Sequence, residues 1–242
     1  MPRYAVIIPA AGRGERFGTE EKKTFAKLDG RPIFLRTLEL FINRDDVCQT
    51  ILVVSGNDLS QVKSQYGANL GFMGVQVVEG GDERWQSVAA ALPAVSSDAD
   101  YIAVHDAVRP CASAAMIDAV FGEATRSHAA ILGAPLTGTI KRVSTANVVE
   151  ATVSRERLFE AQTPQVFRRD ILIDAYRQLK GGVTDDAQAV EQAGQPVAVV
   201  LSDASNLKIT TRADITLAGA ILKSRPSTRP SKPMGAFEEA QW

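Results

Sequence analysis

The chain has 242 residues and a formal net charge of −1 at pH 7, so it has no overall positive field of the kind that draws a protein to nucleic acid or anionic membranes. Its two cysteines, Cys48 and Cys111, provide no disulfide framework and suit a reducing compartment. No apolar run approaches the ~20 residues that a membrane helix needs, and no signal peptide is visible before the first strand-like run, so we expect a soluble cytoplasmic protein.

A short apolar run followed by a glycine-rich loop opens the chain. Residues 4–8 predict a strand buried on both faces, and Pro9, which has no N–H to donate, is expected to end its pairing. Phe17 stands where a dinucleotide fingerprint needs its third glycine, and the loop has no Gly-Lys pair of a P-loop. The loop still combines small and basic residues, which favours a polyphosphate ligand held by backbone N–H groups. These residues are Gly12, Arg13, Gly14, Arg16, Gly18, Lys22 and Lys23.

Strand-like and helical segments alternate up to residue 136. We predict strands at 50–54, 75–78, 101–105 and 129–136, and helices at 32–42, 59–66, 84–94 and 113–126, the last capped by Ser113. This order predicts an α/β fold with a Rossmann-like, mostly parallel twisted sheet and helices on both faces. Ligands bind such sheets beyond the carboxyl ends of the strands, where Pro9, Gly80–Gly81 and Asp106 fall.

The second half of the chain begins with a β-hairpin arm, predicted at 137–153 and inserted into the α/β domain. The pattern alone fits equally an arm that packs on a second subunit and a strand pair that covers a sheet edge. We then predict helices at 169–179, 185–193 (capped by Thr184) and 212–223, and strands at 195–201 and 207–210. Residues 1–223 are thus expected to form one domain, followed by a linker-like tail at 224–242.

Polar residues after the third predicted strand favour recognition of a base. Asp82 and Ser87 follow Gly80–Gly81 and could hydrogen-bond the edge of a pyrimidine, together with backbone groups near Ala10 and Gly81. The structural alternative is a Gly-Gly turn in which Asp82 caps the helix that carries Ser87.

A carboxylate and an arginine follow the fourth predicted strand. Asp106 is well placed to hold Mg²⁺ beside a triphosphate, and Arg109 suits a second phosphate, although the two could simply pair with each other. We expect His105 to be packed rather than catalytic and His128 to lie at the surface. Lys208 could instead be an ordinary surface charge, and Thr184 could instead be a helix cap.

Taken together, these clusters resemble the 2-C-methyl-D-erythritol 4-phosphate cytidylyltransferase family of the non-mevalonate isoprenoid pathway. The resemblance covers residues 4–223. The motifs that carry it, in order, are residues 8–14 (IPAAGRG), 80–84 (GGDER), 104–111 (VHDAVRPC), 139–142 (TIKR), 163–165 (TPQ) and 206–210 (NLKIT). Each is weak alone, and their joint order and spacing is specific.

The resemblance implies a Mg²⁺-dependent enzyme that uses CTP and a small sugar-alcohol phosphate, with no nucleic acid or membrane partner. It implies a homodimer formed through the 137–153 arm, in which Thr139 and Arg155 reach into the neighbouring subunit's site. Arg16, Lys23, Arg155 and Lys208 would be catalytic, and Asp106 would hold Mg²⁺. The implied substrate-binding residues are Pro9, Ala10, Ala11, Gly12, Gly81, Asp82, Ser87, Asp106, Ala107, Arg109, Thr139 and Thr184. The family usually reads Pro-Lys-Gln around its catalytic lysine, whereas this chain reads Lys22-Lys23-Thr24, so Lys22 is the alternative to Lys23.

Two other functions fit part of the pattern. A ribitol 5-phosphate cytidylyltransferase would share the nucleotide half of the site, but residues 10–12 and 139–142 look more like the methylerythritol enzyme. A regulatory nucleotide-binding protein would not need Arg16, Lys23, Asp106 and Lys208 together.

Overall fold

The computed structural model describes residues 1–12 and 22–225, and its regular elements follow the predicted alternation closely. The strands are β1 (Tyr4–Pro9), β2 (Lys27–Leu28), β3 (Arg31–Pro32), β4 (Val47–Ser55), β5 (Val75–Gly80), β6 (Tyr101–Val104), β7 (Ala129–Pro135), β8 (Ile140–Val143), β9 (Val149–Val153), β10 (Phe159–Arg168) and β11 (Ala198–Leu201). The helices are α1 (Ile33–Leu38), α2 (Gly56–Phe72), α3 (Arg84–Ala91), α4 (Ala114–Ser127), α5 (Arg169–Gln178), α6 (Asp186–Gln192) and α7 (Arg212–Ser224).

A seven-stranded sheet forms the centre of the fold, in the order β11-β7-β10-β6-β1-β4-β5. β1 pairs in parallel with both β4 and β6, β4 with β5, and β11 with β7. Only β10 runs antiparallel to its neighbours, β6 and β7. The prediction of a mostly parallel sheet is therefore confirmed, and most strands present their carboxyl ends at the same edge.

The alternation of side chains along β1 explains why both faces of the sheet are covered. Val6 and Ile8 belong to a core cluster that contains residues of α1, α2 and α4. Ala5 and Ile7 face the other way, into a cluster built with α3, α5 and α6. All four side chains are fully buried, and each Val or Ile contributes about 1.5–3 kcal/mol through this burial. The continuous apolar run at 4–8 thus requires helices on both faces, as predicted.

Helix starts follow local capping chemistry, and the structure differs from the predicted Thr184 cap and from the alternative Asp82 cap. The Ser113 hydroxyl accepts the Met116 N–H at 3.2 Å, as predicted for α4. Asp185, not Thr184, caps α6, because its carboxylate accepts the Gln188 N–H at 3.0 Å. The residue that caps α3 is Glu83 rather than Asp82.

The predicted strand at 207–210 is wrong. This segment has no regular secondary structure, although the Ile209 N–H donates to the Val108 carbonyl at 2.9 Å. Ile209 is fully buried in a small core cluster with α7 residues such as Ala218, so its apolar pattern reflects packing under a helix rather than strand pairing. The predicted helix at 32–42 also ends early, at Leu38.

The predicted hairpin arm is confirmed as a separate two-stranded antiparallel sheet of β8 and β9. Several of its apolar side chains are exposed, among them Val148 (63%) and Val149 (57%). Across residues 1–12 and 22–225, no helix is long and apolar enough to pass through a bilayer. Most of the 224–242 tail lies outside the described residues.

Candidate active site

The carboxyl ends of β1 and β6 open onto a cleft made of two adjoining cavities, of about 200 and 220 Å³. Arg84, Asp106 and Lys208 line both cavities and so mark their junction. The first cavity is also lined by Pro9, Ala10, Ala11, Gly12, Lys23, Thr24, Ser87 and Val108. The second is also lined by Arg109, Ala161, Thr163, Gln165, Thr184 and Asp185. Segments far apart in the sequence therefore meet at the sheet edge where a ligand was expected.

The two consecutive lysines have different surroundings. Lys23 is one of the residues that line the first cavity, as is Gly12. Lys22 instead places its Nζ 2.7 and 2.6 Å from the two carboxylate oxygens of Asp58, in the first turn of α2. Of the pair, Lys23 is thus the lysine at the cleft. Arg16, the other predicted cation of this loop, lies outside the described residues, as do Arg13, Gly14 and Gly18.

Two glycines bring the end of β5 against α3. A Cβ on Gly80 would come within 2.6 Å of the Ser87 Oγ, and one on Gly81 within 2.5 Å of the Gln86 Cβ. This close approach packs the end of β5 against α3. It places Ser87, which is 1% exposed, on the wall of the first cavity, with its hydroxyl 3.3 Å from the Gly81 carbonyl.

Three cations surround the Asp106 carboxylate. Its distances are 3.0 Å to Arg84 Nε, 2.7 Å to Lys208 Nζ and 3.7 Å to Arg109 Nε. Burial alone would raise the pKa of this carboxyl, but the charges of Arg84, Lys208 and Arg109 outweigh it and hold the pKa well below its usual range. Asp106 is therefore a permanent anion. The Asp106–Arg109 ion pair coexists with the placement of both residues on the cleft wall.

Arg84 links this carboxylate to a second one behind it. Its guanidinium also donates to Asp186 at 2.7 Å, and Asp186 is fully buried and accepts the Tyr176 hydroxyl at 2.6 Å. Burial lowers the pKa of Arg84, but Asp186 and Asp106 more than compensate and raise it, so the side chain stays charged. Arg84 is a site residue that we did not single out from the sequence, because its partners are 22 and 102 positions away.

The His105 ring connects the backbone near Arg109 to Thr163, beside Asp106. It is fully buried, with Nε2 3.0 Å from the Arg109 carbonyl and Nδ1 3.2 Å from the Thr163 hydroxyl. That hydroxyl in turn accepts the Asp106 N–H at 3.0 Å. Burial lowers the pKa of His105 to about 4, so the ring is neutral near pH 7. The expectation that His105 is packed is confirmed, and His128 is exposed as expected.

The backbone two residues before Lys208 is fixed by Asn206, which is fully buried. The Asn206 amide donates to the Gln162 side chain at 3.1 Å and to the Thr163 carbonyl at 2.9 Å. The main-chain carbonyl of Asn206 accepts an N–H of the Arg109 guanidinium at 2.6 Å. Lys208 thus reaches the cleft from a fixed backbone, although 38% of its side chain remains exposed and open to a ligand.

Thr184 lines the second cavity together with residues of β10 and the start of α6. Its backbone N–H and hydroxyl both lie within hydrogen-bonding distance of the Gln188 side-chain oxygen, at 2.7 and 3.1 Å. Gln165 and Asp185 pair across this wall at 2.8 Å. Gln165 and Thr163 belong to a motif recognised in the sequence, but that motif gave no direction for their side chains.

Several predicted site residues do not line the cleft. Thr139 and Arg155 are exposed on the arm and in the loop after it. Ala107 is buried behind the wall, with its carbonyl accepting the Thr37 hydroxyl at 2.9 Å. Asp82 is exposed and Gly81 half-buried at the end of β5, outside the described lining.

A family model, IspD: 2-C-methyl-D-erythritol 4-phosphate cytidylyltransferase, matches residues 4–224. The chain belongs to this cytidylyltransferase family. Curated cytidylyltransferases of this name include one from Rhodopirellula baltica, which is 41% identical over 90% of this chain and 94% of its own length. Another, from Dechloromonas aromatica, is 40% identical over 93% of this chain and its full length.

Solved cytidylyltransferase structures share the fold. One from Francisella tularensis superimposes with a TM-score of 0.75 at 32% identity, and covers 90% of this chain and 99% of its own. A 4-diphosphocytidyl-2C-methyl-D-erythritol synthase from Anaerococcus prevotii gives a TM-score of 0.77 at 28% identity, over 92% of this chain and 99% of its own. The family membership extends over both halves of the cleft, from the β1 loop to Lys208.

Proposed function

We propose that this chain transfers CMP from CTP to 2-C-methyl-D-erythritol 4-phosphate. The products are 4-diphosphocytidyl-2-C-methyl-D-erythritol, an isoprenoid precursor, and pyrophosphate. Family membership over residues 4–224 is the observation that carries the proposal. An oxygen of the acceptor phosphate attacks the α-phosphorus of CTP, and the bond to the bridging oxygen breaks, so pyrophosphate leaves with the electron pair. No covalent enzyme intermediate is needed, so catalysis consists of positioning and charge stabilisation.

The residues that line the two cavities support different ligands for each cavity. The first, walled by residues 9–12 and Ser87, suits the nucleotide, because backbone groups after β1 and a buried hydroxyl can meet a base and phosphates. The second, walled by Arg109 and Thr184, suits the phosphate of the acceptor. The reacting phosphorus would then lie at their junction, near Arg84, Asp106 and Lys208.

The cations of the cleft have distinct proposed roles. Lys23 and Arg16 would stabilise the negative charge that develops on the triphosphate during transfer. Lys208 and Arg109 would bind the acceptor phosphate, with Lys208 also catalytic. Lys208 would turn from Asp106 towards the substrate, which its partial exposure allows. Gly81, Asp82 and Ala107 remain proposed substrate-binding residues, acting through groups close to the cleft wall.

Asp106 has the chemistry expected of a Mg²⁺ ligand beside phosphates. It is ionised, it lies two residues beyond the end of β6, and Mg²⁺ commonly takes one or two carboxylates with phosphate oxygens and water. Among the described residues no set of three or more His, Cys, Asp or Glu could hold a metal by itself, which fits an ion that arrives with the nucleotide. Bound Mg²⁺ would neutralise and orient the phosphates.

We further propose that the enzyme is a cytoplasmic homodimer. Val143, Val148, Val149 and Phe159 expose 42–63% of their surface on or next to the arm, and such a patch is typical of a protein interface. A partner's arm would bring Thr139 and Arg155, which do not line the cleft of their own chain, to the site. Both cysteines are free thiols, which suits a reducing compartment.

The test is pyrophosphate release from CTP and Mg²⁺ with different acceptors. We expect release with 2-C-methyl-D-erythritol 4-phosphate and none with ribitol 5-phosphate or without acceptor, and a cytidylyl product of the corresponding mass. Release with ribitol 5-phosphate alone would overturn the acceptor. CTP binding without release with any acceptor would instead favour a regulatory nucleotide-binding protein.

A further inference from the structure

The side chain of Lys22 is directed at the start of α2. Its Nζ lies 2.7 Å from Asp58 Oδ1, 2.6 Å from Asp58 Oδ2 and 3.4 Å from Ser55 Oγ. These contacts span 33 and 36 positions of sequence, so they join the segment before β2 to the junction of β4 and α2. We call these three side chains the Lys22 clamp.

The carboxylate of the clamp is buried and fully engaged. The Asp58 side chain is only 7% exposed, and Oδ2 accepts the Ser55 hydroxyl at 2.6 Å as well as the lysine. A buried carboxylate that loses its cation is strongly disfavoured, whereas exposed ion pairs contribute little. The clamp is therefore more than a surface ion pair, although Lys22 itself keeps 36% exposure.

The backbone after Lys22 is anchored by the same residue. The Lys22 carbonyl accepts the N–H groups of Phe25 at 2.9 Å and Ala26 at 3.2 Å. Both side chains are buried, Phe25 against the rings of Phe34 and Tyr66. Lys23 stands between the side-chain anchor on one side and this buried turn on the other, and its position on the cavity wall is therefore fixed from both directions.

We propose that Lys22 is a positioning residue for Lys23: the Lys22 clamp holds the backbone so that the neighbouring ammonium group meets the triphosphate. This inference deepens the proposed function and rests on it. A displacement of about 1 Å in a catalytic group can cost ~10²-fold in rate, so a clamp outside the cleft can control catalysis within it.

A double-mutant cycle on the transfer reaction tests this role. We expect Lys22→Met and Asp58→Asn each to lower kcat by about 10–10²-fold with a smaller change in the KM for CTP, because Lys23 acts mainly on the transition state. The double variant should lose no more than the worse single variant, because both changes release one clamp. Lys22→Arg, which can still pair with the carboxylate, should recover most of the rate. Lys63→Ala removes an exposed lysine from the same helix and should match the wild type.

Amide hydrogen exchange gives a second readout that does not depend on catalysis. The Phe25 and Ala26 amides should exchange several-fold faster in Lys22→Met and Asp58→Asn than in the wild type or Lys63→Ala, because their acceptor carbonyl loses its anchor. An unfolded variant would differ from this pattern, because its amides would lose protection throughout the sheet, including β1 and β6.

The outcomes separate this inference from the proposed function. Wild-type protein that releases no pyrophosphate would overturn the function. Active protein with additive losses, or with unchanged rates and exchange in both single variants, would overturn the clamp. A large loss in Lys22→Met alone, with full activity in Asp58→Asn and in Lys23→Ala, would make Lys22 itself the catalytic lysine and would also overturn it.

Discussion

Arg84 donates to Asp106 at 3.0 Å while the same guanidinium holds the buried Asp186 at 2.7 Å. The first carboxylate faces the cleft, and the second lies behind it, where it accepts the Tyr176 hydroxyl at 2.6 Å. A continuous set of charge-assisted contacts thus joins α5, α6 and α3 to the end of β6. Such contacts are stronger than neutral hydrogen bonds and fix side-chain direction. The orientation of Asp106 is consequently set by the helices on one face of the sheet.

Replacing Arg84 by lysine tests whether this bridge carries stability and activity. One ammonium cannot reproduce the planar fork that meets two carboxylates, so Arg84→Lys should leave one buried anion poorly paired. We expect a loss of about 3 kcal/mol in the free energy of unfolding, measured in urea, and a lower kcat in the folded variant. Arg126→Lys, in an exposed pair with Glu123, is the matched control and should cost less than about 0.5 kcal/mol. A similarly small loss in Arg84→Lys would contradict a structural bridge.

His105 predicts a dependence of stability on pH. Its folded pKa is about 4, below the ordinary value near 6.5, because the ring is fully buried. The unfolded chain therefore binds a proton as the pH falls through 6.5, while the folded chain does so only near 4. The stabilisation is complete above about pH 6.5 and is lost towards pH 4, by about 3 kcal/mol in all.

Urea denaturation without added metal at pH 7 and pH 4.5 measures this loss. His105→Gln should show a much smaller fall over that interval than the wild type, with the titration of carboxylates common to both. His128→Gln, which changes an exposed ring, should retain the wild-type dependence. An equal fall in the free energy of unfolding for His105→Gln and the wild type would show that this ring does not control acid stability.

The sheet could be predicted from the sequence because its signals are local. The run at 4–8 is apolar at every position, as is typical of a strand covered on both faces. The segment at 207–210 alternates apolar and polar residues, which is also typical of a strand, yet it packs Ile209 beneath α7 with a hydrogen bond to Val108. Period alone cannot distinguish a strand from an extended segment packed under a helix, since both bury alternate residues.

The sequence predicted many of the residues that line the cleft, but not which side chains contact one another. Strand ends located Asp106 and the residues around Pro9, because parallel strands present their carboxyl ends together. The role of Arg84 could not be predicted, since nothing in the sequence around residue 84 indicates an ion pair with Asp186. The choice between Lys22 and Lys23 likewise depends on Asp58, 36 residues further along the chain.

Lys23→Ala tests the proposed catalytic lysine. Lys23 lines the first cavity, which is the proposed nucleotide site, and removal of one preorganised charge of this kind typically costs ~10²–10³ in kcat. We expect that loss in steady-state pyrophosphate release, with an unchanged unfolding midpoint. Lys27→Ala, which removes an exposed lysine of β2, should keep the wild-type rate. A near-normal rate for Lys23→Ala would move the role to another cation.

Subunit mixing tests whether each site is completed by a partner's arm. In the proposed dimer a site uses Lys23 of its own chain and Arg155 of the other, so Lys23→Ala and Arg155→Ala homodimers should both be nearly inactive. In a heterodimer of the two variants, one site contains both defects and the other contains none. Co-refolding the variants in equal amounts should therefore restore about a quarter of the wild-type activity.

The matched control for this mixing is Lys23→Ala with Lys208→Ala. Both residues line the cleft of the same chain, so every site of that heterodimer keeps one defect and no activity should return. Recovery in the first mixture alone requires sites shared between subunits, because neither variant supplies what the other lacks within a single chain. No recovery in either mixture, or a monomer in sedimentation at assay concentration, would place Arg155 outside the site and leave the exposed apolar residues of the arm to another purpose.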